Sequence, residues 1–276
     1  MFRAIVLVFS FALAANCHTQ TPAPPMKHLL VLAEEKGYRH EAVSHAAATI
    51  ERLGRETGLW ATTIRTDTEV LTKQKLEYNA KNLNDFDAVL FYTGGDLEMN
   101  AEQKAALLSF VHDDGKGFVG VHSATITFTS WPEYGQMIGG YFDEHPWGTF
   151  DAAILVEDPN FPGMRQFPES FVLKDEIYQI KNFSRERVRV LMRLDASKLD
   201  LANPAFTRLA PQFRADNDFP IVWAKQYGKG RVFYSSFGHE DDTMDDVRIQ
   251  KMYLGAIKWL MGLADADVTP RPMPAH

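Results

Sequence analysis

Four histidines, His40, His122, His145 and His239, stand in polar segments that follow apolar runs or precede turns. Imidazole moves protons near neutral pH, and in its neutral form it ligates divalent transition metals. None of the four has the His-Glu-x-x-His spacing that puts two ligands on one helix face. Two uses therefore stay open for the set. It could hold a divalent metal such as zinc, or it could surround a polar ligand with hydrogen-bonding and acid–base groups. Glu176, in Leu173-Lys174-Asp175-Glu176-Ile177-Tyr178, is an acid between apolar residues at a strand end. That makes it a candidate general acid or base; the alternative is an ion pair with Arg185 or Arg187.

His122 has the sharpest context. In Lys116-Gly117-Phe118-Val119-Gly120-Val121-His122-Ser123-Ala124, the uncharged run Phe118, Val119 and Val121 reads as a strand buried on both faces of a parallel sheet. Gly120 and Ala124 flank His122 as small residues flank the tip of a nucleophile elbow, a turn that stands one side chain exposed above the sheet edge. A histidine there can act as base, acid or metal ligand, but it is a poor acyl nucleophile. The plainer alternative is a strand-end imidazole held by a backbone carbonyl. His122 and Glu176 are the candidate catalytic residues.

Other residues fit a small carbohydrate ligand. Arg39, beside His40, could bind an anion or polarise a carbonyl, or form a surface ion pair. Asp96, after Gly94-Gly95, could cap the following segment or bond a sugar hydroxyl. Trp131, Tyr134, Tyr141, Trp147 and Tyr178 offer aromatic faces that stack on sugars or simply fill the core. The expected binding set is Arg39, His40, Asp96, Trp131, Tyr134, His145, Tyr178 and His239. The acids Glu240, Asp241, Asp242, Asp245 and Asp246 read as a helix start, where the positive end of the dipole favours them.

The elements that must position these groups alternate. Strands are expected at 28–33, 60–65, 86–92 and up to His122, with helices at 44–57, 72–80 and 100–111 between them. A further helical stretch is expected from Trp131 to Phe142, ending with Gly139-Gly140. Runs at 152–156, 171–173, 188–194 and 221–226 read as strands, and no long helices separate them. Gly228-Lys229-Gly230 turns the last of these into Arg231–Ser236 as a hairpin. A helix from Asp245 to Leu260 closes the domain. This pattern implies an α/β, flavodoxin-like, doubly wound and mostly parallel sheet, with additional antiparallel strands in the C-terminal half. Ligands of such sheets bind at the carboxyl ends of the strands, where the histidines fall.

Around this domain of residues 28–262 lie shorter segments of the 276-residue chain. Met1-Phe2-Arg3 and the apolar run Ala4–Ala15 read as a secretory signal over residues 1–17. Leu13-Ala14-Ala15-Asn16-Cys17 resembles a bacterial lipobox, with Cys17, the single cysteine, as the lipidated residue; the alternative is a thiol inside a cleaved signal. Residues 18–27 are a Thr/Pro linker and 263–276 a mobile tail. The protein is thus expected to be exported, periplasmic or membrane-anchored, touching the membrane only through lipid. A net charge of −7 without a basic run argues against nucleic acid.

The motifs together resemble the ThuA-like family, the trehalose-utilisation proteins. They are Gly37-Tyr38-Arg39-His40, Gly94-Gly95-Asp96, Gly117 to Ala124, Trp131 with Tyr134, Tyr141-Phe142 with His145-Pro146, Asp175 to Tyr178, Pro220 to Trp223, and Gly238-His239. The resemblance covers residues 28–262. It implies the fold of class I glutamine amidotransferases, with His122 where those enzymes carry their catalytic cysteine, so amidotransferase chemistry is not implied. Two functions follow as expectations. One is an exported enzyme acting on a carbohydrate or sugar-derived small molecule by His/Glu acid–base chemistry, with or without a metal. The other is a non-catalytic sugar-binding domain on a lipid anchor.

Overall fold

The computed structural model describes residues 25–204 and 213–274. The expected signal and Cys17 lie outside the described residues. The N-terminal half alternates as expected: β1 (Lys27–Leu32), α1 (Ala42–Thr57), β2 (Trp60–Arg65), β3 (Ala88–Phe91), α2 (Ala101–His112) and β4 (Gly117–Val121). The two-residue period of a strand divides β1 between two cores. Leu29 and Val31 enter the core that also takes Ala46 and Ile50 of α1. Leu30 and Leu32 enter the one that takes Leu107 and Phe110 of α2. Local signals fix the ends of the helices. Asn100 and Gln103 form a reciprocal capping box at 2.9 and 3.0 Å, and Gly58, at φ 65°, stops α1.

The C-terminal half adds α3 (Pro132–Ile138), β5 (Tyr141–Glu144), β6 (Thr149–Val156), β7 (Ser170–Glu176), β8 (Gln179–Lys181), β9 (Arg189–Leu194), β10 (Pro220–Tyr227) and β11 (Gly230–Ser235). Two helices follow, α4 (Asp241–Asp245) and α5 (Val247–Leu260). Nine strands form one sheet in the order β2-β1-β3-β4-β11-β10-β9-β6-β7, and β5 pairs with β8 in a small antiparallel ribbon. The pairs β2/β1, β1/β3, β3/β4 and β4/β11 are parallel. From β11 outward to β7 every pair is antiparallel.

That order decides where the chemistry collects. Four successive reversals bring β7 back to the direction of β4, so Glu176, at the end of β7, reaches the same sheet edge as His122. β6 runs the other way and begins at that edge, just after His145. Loops after β1 and β11 bring His40 and His239 there too.

Three elements depart from the sequence reading. The helix expected over 72–80 is only a single 3-10 turn, Glu77–Asn79, because the Thr72 hydroxyl accepts from Gln74 N and bonds Glu102 instead of releasing the chain into a helix. The helix expected from Trp131 to Phe142 ends at Ile138. Gly139 there takes φ 111°, and the chain re-enters as β5. The final helix is broken at Asp246, which is extended and caps α5 by accepting from Arg248 N at 2.7 Å. The described residues after Gly262 form no helix or strand; Arg189 donates to the Thr269 carbonyl at 3.1 Å.

Candidate functional site

The elbow is present. β4 ends at Val121, and His122 takes φ 43°, the left-handed region where a residue other than glycine is strained. Gly120 is required beneath it: a Cβ there would lie 2.9 Å from Ile138 Cδ1 and 3.0 Å from Tyr234 Cδ2. The side chain does not stand exposed, as an elbow tip would; it is 0 % accessible. Tyr178, His40 and His239 pack over it, with ring centroids at 4.3, 4.8 and 5.2 Å. Its Nδ1 lies 2.7 Å from the Ser236 carbonyl oxygen. A carbonyl only accepts, so Nδ1 carries the proton and Nε2 keeps its lone pair. Nε2 lies 2.8 Å from the Tyr178 hydroxyl, 3.3 Å from His239 Nδ1 and 3.5 Å from Glu176 Oε2. The backbone-held histidine and the site histidine are therefore the same residue.

His40 is arranged in parallel. Glu35 Oε1 accepts from its Nδ1 at 2.5 Å, and Glu35 Oε2 accepts from its backbone N–H at 2.6 Å. Its Nε2 is left 3.3 Å from the Tyr178 hydroxyl. His239 places Nδ1 3.1 Å from Glu176 Oε2. His145 sits at the rim, its side chain 43 % exposed, with Nδ1 3.5 Å from Glu176 Oε1. Asp175 pins this edge. Its buried carboxylate accepts from the backbone N–H groups of Glu176, Gly238 and Glu240 at 3.0, 2.8 and 3.2 Å, which fixes the Glu176 and His239 loops together.

The charges follow from burial and contact. Burial pushes His122 down to about 4, against the opposing pull of Glu176, so its ring is neutral at pH 7. Burial also works to raise Glu176, but its contacts with the His122 and His239 rings and the positive charge of the neighbouring histidines outweigh it and hold the carboxyl well below the usual range. His239 is held above its ordinary value by its bond to Glu176. Among the described residues, Glu35 and Glu176 form ion pairs with histidines only, at 2.5 to 3.5 Å, and with no Lys or Arg.

One ligand atom each from His40, His122, Glu176 and His239 lies within 4.8 Å of the others. Three imidazoles and a carboxylate suit zinc or a similar ion. Of the expected metal set of His40, His122, His145 and His239, the geometry groups His40, His122 and His239 with Glu176, and His145 lies at the rim beside Glu176. The ion pair of Glu176 with Arg185 or Arg187 is not formed; Arg185 is taken by Glu157 and Asp218 at 2.7 and 2.6 Å.

A pocket of about 460 Å³ opens over the cluster, lined by Tyr38, His40, Ile126, Phe142, His145, Glu176, Tyr178 and His239. A second cleft of about 360 Å³ shares Tyr38, His40 and His239 with it and continues to Arg39, Glu41, Glu240, Asp241 and Asp242. Arg39 thus borders the site. Asp96 is exposed after Gly95 and is absent from the pocket wall. Trp131 and Tyr134, expected as stacking faces, belong to the core: Tyr134 is 0 % exposed and its hydroxyl donates to the Ala124 carbonyl at 2.8 Å. Sequence reasoning missed Glu35 and Ile126, and it had Tyr38, Phe142 and Asp175 only as motif residues without a role of their own. Glu35 had one signal, an acid in the loop just after a buried strand; Ile126 had none, because a lone apolar side chain carries no mark of the pocket it lines.

A family model described as ThuA, trehalose utilisation, matches residues 28–260. A ThuA-like protein from Bacteroides uniformis superposes with a TM-score of 0.67 at 22 % identity, covering 87 % of this chain and 93 % of its own. One from Parabacteroides merdae does so with 0.63 at 16 %, covering 90 % and 93 %. A GMP synthase protein from Thermoplasma acidophilum reaches 0.50 at 9 %, covering 87 % and 98 %. At these identities the three show the fold, which is the glutamine amidotransferase-like one. No curated protein matches the chain.

Proposed function

We propose a function from the premise that this chain belongs to the ThuA, trehalose-utilisation, family: it acts on a neutral carbohydrate or sugar-derived small molecule by metal-assisted His/Glu acid–base chemistry. Family membership is consistent with a carbohydrate-related role. The reading rests on one observation. One ligand atom from each of three imidazoles and a carboxylate, delivered from the ends of four strands and the loops after them, converges within 4.8 Å beneath an apolar-walled pocket.

The residues fit the ion by their chemistry. His122 is neutral and presents a lone pair. Two largely buried carboxylates, Glu35 and Glu176, have no Lys or Arg partner among the described residues, so a cation would balance them. When bound, such an ion supplies Lewis acidity to a sugar hydroxyl or carbonyl or to water. Phe142, Ile126 and Tyr178 form a wall that suits the apolar face of a sugar ring. His145, half-exposed beside Glu176 at the mouth, is placed to exchange a proton with solvent. The acids Glu41, Glu240, Asp241 and Asp242 outnumber Arg39 in the adjoining cleft and disfavour anionic substrates. The lipobox-like Leu13 to Cys17 supports export and anchoring of this activity outside the cytoplasm.

The test is incubation of zinc-loaded protein with neutral mono- and disaccharides in D2O, followed by NMR. Deuterium uptake or product in the wild type, lost in Glu176→Gln, is expected. Saturable binding without exchange or product would replace the enzyme by the sugar-binding domain. Neither binding nor turnover across the panel would remove the carbohydrate reading.

A further inference from the structure

Glu35 brings negative charge to the cluster and is among the most constrained side chains of the site. Its side chain is 6 % exposed. Backbone pairing pins it: Lys36 N donates to the Gly94 carbonyl at 2.8 Å and Gly94 N to the Glu34 carbonyl at 3.2 Å, a bridge between the loops after β1 and β3. Its carboxylate takes three donors, His40 Nδ1 at 2.5 Å, His40 N at 2.6 Å and Ser123 Oγ at 3.0 Å. Ser123 is the residue after His122, in the elbow itself. One carboxylate thus holds the ring of one cluster histidine and the turn that carries another.

An ionised carboxylate accepts and never donates. This acceptor directs an N–H onto Nδ1, so Nε2 is the nitrogen of His40 that a metal would take. The Ser236 carbonyl does the same for His122. A neutral acceptor suffices there, whereas at His40 the chain uses a buried charge. A charged acceptor makes imidazole more electron-rich and fixes its orientation, and loss of such a partner typically costs about 10–100-fold in metal affinity.

We propose that Glu35 is the positioning residue of the metal centre: it sets the tautomer and orientation of His40 and, through Ser123, ties that ring to the His122 turn. The proposal rests on the metal reading above and adds a residue that touches neither ion nor substrate.

The experiment is a competition titration of the purified full chain with zinc against a chromophoric chelator, with the visible spectrum of the cobalt(II) form as a second readout. Wild type, Glu35→Gln, Glu35→Asp, Ser123→Ala and His40→Ala are compared. Glu35→Gln is expected to weaken zinc about 10–100-fold and to alter the cobalt bands, short of the loss in His40→Ala. Glu35→Asp keeps the charge at shorter reach and should restore part of the affinity. Ser123→Ala leaves Glu35 on His40 and should lose less than Glu35→Gln; it remains informative if Glu35→Gln fails to fold. A wild type that takes up neither zinc nor cobalt overturns the metal reading itself. A wild type that binds tightly while Glu35→Gln binds equally well, with an unchanged cobalt spectrum, overturns the role of Glu35 alone.

Discussion

At His122 strain and burial meet in one residue. Its left-handed backbone is unfavourable for a ring-bearing side chain, and its imidazole closes a buried hydrogen bond to the Ser236 carbonyl. An exposed elbow tip could be removed with little effect on the fold; this one cannot. His122→Ala strands a buried acceptor and should cost about 1–3 kcal/mol. His122→Asn has a side chain that tolerates the left-handed region, so it should be the more stable of the two variants. Both should lose tight zinc binding, since neither offers Nε2. Urea denaturation and a zinc titration read the two effects separately. If His122→Ala unfolds at the wild-type midpoint, the buried carbonyl is satisfied some other way and this account of the elbow fails.

Among the elements, β10 carries a cost that pH can reveal. Its residues Pro220 to Lys225 are all buried, and Lys225 enters this apolar strand with its Nζ donating to the Gln136 carbonyl of α3 at 2.7 Å. Burial, with a smaller push from Arg187, lowers the ammonium from 10.5 to about 8. Between those two values the unfolded chain holds a proton that the native chain has released. Stability contributed by this site therefore rises with pH across that window, by up to about 3 kcal/mol. Below pH 8 the buried charge opposes folding in full. Lys225→Met, which has no proton to lose, should flatten the rise between pH 7.5 and pH 10 in urea midpoints. Parallel curves for wild type and variant would show that Lys225 is not the titrating group.

The whole molecule brings together a site from loops spread over 205 positions of sequence, from Glu35 to Glu240. Its two cores reach that edge, where Ile177 belongs to one and Tyr178 to the other, so the site is built on packed side chains. No helix among the described residues is long and apolar enough to cross a membrane. Cys17, at the end of the lipobox-like Leu13 to Cys17, is the proposed point of attachment. In a bacterial host, globomycin should accumulate the uncleaved precursor, and Cys17→Ala should shift the protein out of the membrane fraction. Unchanged processing and localisation in Cys17→Ala would leave the cysteine inside an ordinary cleaved signal.

The sequence by itself determined the strands of the main sheet, the elbow and the edge, though not the small ribbon of β5 and β8. Buried runs such as Leu29–Leu32 and Phe118–Val121 announce themselves because both faces of a parallel strand must be apolar, and the loops after them fall at the carboxyl ends. Glycines at 120 and 139 and the Asn100 cap are local signals too, written within four residues. Tertiary structure alone decided which of the edge residues meet. Glu176 joins the cluster because four antiparallel reversals carry β7 back to the β4 direction, and no local pattern counts reversals. Trp131 and Tyr134 left the binding surface for the core because an aromatic ring looks the same in a sequence whether its neighbour is a sugar or Phe128. Glu35 stayed unread because its meaning lies in two partners, one five residues away and one 88 away. Contact between distant loops is set by strand order, which depends on how the faces of separate elements pack.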